Sequence, residues 1–145
     1  MKLISFKKSA PKAVLLFALG ALPFSTWAEV SIIVHPSVEA SASAADVAKL
    51  FLGKSKSLPG GTKVIPINLE SGNAVREEFN GTVLKKSDSQ LKSYWSRLVF
   101  TGKAQPPKDV GSEADAIELV KNNPNMIGYV SSGAVVDGVK VIASF

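Results

Sequence analysis

Lys63–Phe79, KVIPINLESGNAVREEF, carries a strand, a turn and the start of a helix in one unbroken stretch. Lys63–Asn68 is apolar and β-branched at Val64, Ile65 and Ile67, which suits a pleated backbone. Pro66 has no amide hydrogen to donate, so it predicts an edge strand or a bulge. A helix is expected over Ser71–Leu84, capped by Ser71 or Asn73. Glu77 and Glu78 in its early turns suit the positive end of the helix dipole. Val75, Phe79 and Val83 recur every four residues, so they are expected to face a core. A strand that passes directly into an amphipathic helix is a building block of α/β folds.

The flanking sequence continues the pattern. Val30–Val34 (VSIIV) reads as a buried strand that stops before Pro36. Ser43 with Asp46 three residues on gives a capping box for a helix over Ala44–Leu52, ended by Gly53. Lys54–Gly61 is turn material. Ser87 caps a helix reaching about Phe100, in which Leu91, Tyr94, Trp95 and Leu98 keep a helical spacing. Lys103–Gly111, with Pro106-Pro107, reads as a loop. Ser112 and Asp115 open a last helix, and Met126–Ser131 and Val139–Ala143 read as strands. The resulting order is β-α-β-α-α-α-β-β, an α/β layout.

The N-terminus reads differently. Met1–Lys12 is basic, Ala13–Leu22 is an apolar run, Pro23 follows, and Thr26-Trp27-Ala28 offers small residues around a cleavage point. This is the three-part layout of a secretory signal peptide, here 1–28, leaving one domain over 29–145 in the periplasm. The apolar run falls short of the ~20 residues a membrane-spanning helix needs, so no stable membrane insertion is expected after cleavage. The segment also explains the charge. Of 17 basic residues, Lys2, Lys7, Lys8 and Lys12 lie here, and the remaining 13 face 12 acidic ones. That near-neutral balance lacks the basic stripe needed for nucleic acid, although Tyr94, Trp95 and Arg97 could be drawn as a stacking platform.

The inventory for catalysis is thin. The chain has no cysteine, which excludes disulfides, thiolate metal sites and a cysteine nucleophile, and His35 is its one imidazole. His35 sits beside a proline at a strand end, where a lone histidine is ordinarily a loop residue. No GxSxG, GxxxxGK[ST] or GxGxxG sequence occurs. The acidic pairs Glu77/Glu78 and Asp115/Glu118 read as solvated helix faces. The expectation is a non-enzyme with neither metal nor cofactor.

One feature carries chemistry. Leu69–Ala74 takes the chain from strand to helix through Ser71, Gly72 and Asn73. Such a corner offers backbone amides and a hydroxyl at the positive end of a helix, which suits a small anion. Gly72 allows close approach to the backbone. The same residues are also ordinary caps, so the pattern alone leaves both readings open.

These residues resemble the phosphate-type periplasmic substrate-binding proteins of ABC transporters. Phe51-Leu52-Gly53-Lys54, the strand Lys63–Asn68, Ser71-Gly72 and Phe79 follow one another as that family's "IFLGK" helix end, strand and "SGT…F" turn do. Tyr94-Trp95, Gly102-Lys103 and Asn125–Val130 match its later landmarks. The similarity spans Glu29–Phe145 and implies one lobe, the second, of a two-lobed fold of periplasmic-binding-protein type (type II), with a mixed sheet flanked by helices. It further implies that Ser71 and the amides of Gly72 and Asn73 contact an oxyanion such as phosphate, with Ala74 beside them in the candidate site. The family's arginine, four residues before the serine, falls on Ile67, and its acid, two before, on Leu69. Arg76, one turn into the helix, is the candidate replacement. Two readings follow: an exported oxyanion-binding module, with a homodimer able to supply the missing cleft wall, or a periplasmic accessory protein that has lost its ligand and binds a protein partner.

Overall fold

The computed structural model describes residues 29–145. The signal peptide expected over 1–28 lies outside the described residues.

Five strands form one mixed sheet. They are β1 (Val30–Val34), β2 (Ile65–Leu69), β3 (Lys108–Val110), β4 (Met126–Ser131) and β5 (Lys140–Ser144), in the order β3-β2-β4-β1-β5. β1 pairs antiparallel with β4 and β5, and β2 pairs parallel with β3 and β4. All five residues of β1 are buried, so both faces of the sheet are covered at its centre. The helices are α1 (Ala44–Phe51), α2 (Ala74–Phe79), α3 (Asp88–Phe100) and α4 (Glu113–Asn122). Neighbouring residues of β4 show which side each occupies, because side chains alternate across a strand. Gly128 abuts Ile67 and Val120 of α4. Tyr129, facing the other way, stacks on Phe79 of α2 with ring centroids 3.9 Å apart and meets Phe51 of α1 edge-on at 5.6 Å. Phe51 and Phe79 close the triangle at 4.8 Å. These rings are the largest fully buried side chains and form the centre of the core beneath the β2–α2 corner.

Local hydrogen bonding sets the helix starts. Ser43 and Asp46 form the reciprocal capping box, and Ser87 does the same with Gln90. At Ser112 only half of a box is made: its hydroxyl accepts from the Asp115 amide. Asp46 is held below the usual carboxylate range, chiefly by the hydroxyl and then the amide of Ser43.

Three expectations need correction. The helix after Ser71 does not run evenly to Leu84. It is α-helical to Phe79 and then opens into a π-turn over Asn80–Leu84, ended by Lys85 at φ 56°. Phe79, Asn80, Val83 and Leu84 are all buried along it. Lys103–Gly111 is not all loop, since Lys108–Val110 forms β3 alongside Ile67–Leu69. Its sequence, KDV, has no strand signal of its own, and pairing with β2 makes it a strand. β2 is not an edge strand either, but Pro66 still obeys its chemistry. The Ile65 amide donates to Asn125, on the β4 side, so by alternation position 66 faces β3, and β3 begins only opposite Ile67.

Candidate functional site

The corner between β2 and α2 is built from beneath. The Tyr129 hydroxyl donates to Asn68 Oδ1 and accepts the Leu69 amide at 3.2 Å. Both Tyr129 and Leu69 are 1% exposed, so this pair fixes the end of β2 out of contact with water. Burial pushes the phenol well above its ordinary value of 10.0, outweighing the lowering by the Leu69 amide and by Arg76.

The turn then exposes Ser71 and Gly72. Gly72 has φ +87°, with open space where a side chain would stand. Asn73 is the cap of α2. Its Oδ1 accepts the amides of Val75 at 2.9 Å and Arg76 at 3.4 Å, and its own amide donates to Glu70 at 3.2 Å. One expectation is thereby revised, since the Asn73 amide is used inside the turn. Of the two caps named for this helix, Asn73 is the one that forms, its side-chain oxygen turned toward its own helix. Ala74 is the exposed first residue of α2.

Arg76 does reach back. Its Nη1 donates to the Leu69 carbonyl at 2.7 Å and to Asp109 Oδ1 at 3.2 Å, and its Nη2 lies 3.4 Å from Asp88 Oδ1. The Ser71 hydroxyl donates to the other oxygen of Asp88 at 3.0 Å. Asp88 is also the first residue of α3, where a carboxylate meets the positive end of the dipole. The carboxylate of Asp88 thus lies between a hydroxyl and a guanidinium, as a bound oxyanion would. Arg76 Nε is buried with no partner among the described residues.

The corner opens onto a cleft of about 440 Å³ whose walls include Phe51, Leu91, Trp95 and Pro107. It lies at the carboxyl ends of the parallel strands β2 and β3, where α/β folds characteristically place ligands. Ile67 and Leu69, on which the resemblance places the family's arginine and acid, are buried in the core at 2% and 1% exposure. Asp88 and Asp109 escaped the sequence reading because they lie 17 and 33 residues from their partners and meet them only through the fold. Among the described residues no cluster of His, Asp or Glu is arranged to hold a metal, and no helix is long and apolar enough to cross a membrane.

No protein-family model matches the sequence, and no curated protein matches it. Solved structures do resemble its fold. A protein with bound phosphate from Clostridium perfringens, assigned to the phosphate ABC transporter substrate-binding proteins, matches with TM-score 0.62 and 18% identity over 80% of this chain and 45% of its own. An ABC-type phosphate transport receptor from Vibrio cholerae gives TM-score 0.62 and 18% identity over 80% of this chain and 47% of that one. PstS from Borrelia burgdorferi gives 0.58 and 17%, again over 80% and 47%. The chain therefore spans about half the length of each and has the fold of one lobe of such a protein.

Proposed function

We propose that the chain is an exported single-lobe binding module that seats a small oxyanion such as phosphate at Ser71–Arg76. The observation that carries this reading is the position of Asp88. A carboxylate lies between the Ser71 hydroxyl at 3.0 Å and the Arg76 guanidinium at 3.4 Å, which supports the corner as a seat for an oxyanion. The phosphate-bound relative of the same fold supports the choice of ligand. In this scheme Asp88 holds the seat and the solute displaces it. Ser71 and the Gly72 and Ala74 backbone then face the solute, while Asn73 holds the helix end in place. Asp109 stays on Arg76 and keeps the guanidinium oriented.

Titration calorimetry with inorganic phosphate tests the proposal. Binding is expected to strengthen about tenfold in Asp88→Asn, which removes the competing charge and keeps the shape. Gly72→Val is expected to abolish it, because a β-branched residue cannot hold φ +87° without moving the turn. No heat from either wild type or Asp88→Asn at millimolar phosphate removes the reading.

A second reading rests on charge. Asp88 and Asp109 both pair with Arg76, so its guanidinium is already more than neutralised by its own partners. Beside it, Val99 is 42% exposed and Phe100 92% exposed on α3. Those features favour an accessory role through a protein partner. A silent calorimetric result in both proteins would move the balance to this second reading.

A further inference from the structure

On the far side of the Trp95–Pro106–Pro107 wall lies a second groove of about 760 Å³. We propose that it binds an organic anion with a flat apolar body. This proposal does not depend on the reading of the Ser71–Arg76 corner.

The rim of the groove carries Lys56, Lys63, Lys103 and Lys108, all exposed. Among the described residues no carboxylate lines it, and none of the four lysines forms a salt bridge. The first cleft differs, since there Arg76 and Lys92 are balanced by Asp88 and Asp109. In a near-neutral domain, four unpaired cations around one concavity concentrate positive potential there.

The floor is apolar and held in place. The Trp95 ring lies against Gly53, close enough that a Cβ built on that glycine would come within 3.1 Å of it. Tyr94 meets the Trp95 ring edge-on at 5.2 Å and is itself anchored by its hydroxyl to the Leu52 carbonyl at 2.6 Å. Ile65, 53% exposed, continues the apolar surface where β3 stops short of the start of β2. A rigid aromatic wall binds a flat body with little ordering cost. The size falls in the range of small-molecule sites, which are mostly apolar with a few polar groups to orient the ligand. An added peptide strand is poorly served by this edge, because Pro66 offers no amide to it. An inorganic ion would meet the rim and leave the floor unused.

The test uses 2-naphthalenesulfonate, its neutral counterpart 2-naphthalenemethanol, and inorganic sulfate, each titrated into the 15N-labelled protein. The expected result is a saturable shift of the Trp95 indole resonance with the sulfonate. The alcohol should bind at least tenfold more weakly, and sulfate should leave the indole unmoved. Lys103→Glu/Lys108→Glu should weaken sulfonate binding at least fivefold, Lys56→Glu/Lys63→Glu should do likewise, and Lys121→Glu on α4 should leave it unchanged. Two separate double variants keep the result readable if one misfolds. Equal affinity for sulfonate and alcohol overturns the proposal, as does a sulfonate affinity indifferent to both double variants. Binding of an aspartate-rich peptide without aromatic residues as tightly as the sulfonate also overturns it, and makes the groove a surface for acidic chains.

Discussion

Replacing Tyr129 with Phe isolates a single hydroxyl at the base of the corner. The ring is stacked on Phe79 at 3.9 Å with an interplanar angle of 5°, and phenylalanine keeps that packing. What goes is the acceptor for the Leu69 amide and the donor to Asn68 Oδ1. Leu69 is 1% exposed, so its amide has no access to water and bears the cost of an unmade bond, about 1–3 kcal/mol. Asn68 is half-buried and can recover part of its loss from solvent. The sum is about 2 kcal/mol of folding stability, or roughly 8 °C in Tm for a domain of this size. Thermal unfolding followed by circular dichroism reads it directly. A loss below about 0.5 kcal/mol would mean that the end of β2 is not held by this hydroxyl, and the construction of the corner from beneath would be wrong.

Two further outcomes follow from the same geometry. The Tyr129 phenol is raised in the folded chain above its ordinary 10.0, so its neutral form is the one the fold favours. Its contribution is complete below pH about 10 and is lost as pH climbs from there toward the folded value; denaturant melts across that range should show a decline that Tyr129→Phe lacks. Gly53→Ala combines φ +72° with a Cβ 3.1 Å from Trp95 Cη2, so a stability loss of about 1–2 kcal/mol and a displaced Trp95 indole resonance are expected; an unmoved resonance would show that the ring does not rest on that glycine.

What the sequence made legible was local. Ser43, Ser87 and Ser112 announce helices because a cap bonds within three residues of itself. The Ser71–Asn73 corner was legible for the same reason, as a strand meeting a helix. β3 was not, because Lys108-Asp109-Val110 acquires strand geometry only from Ile67–Leu69, some forty residues earlier. The π-turn was not, because nothing in Asn80–Leu84 distinguishes it from a continuing α-helix. The function of the corner is the hardest part. Ser71 and Arg76 looked like open donors in the sequence, and in the folded chain Asp88 and Asp109 already occupy them.

That occupancy makes the decisive measurement a competition. Inorganic phosphate titrated into the protein should compete with the Asp88 carboxylate for Ser71 and Arg76, giving weak heat in the wild type and about tenfold tighter binding once Asp88 is Asn. Equal affinity in the two proteins would place phosphate elsewhere and contradict the assignment of this corner; so would silence in both.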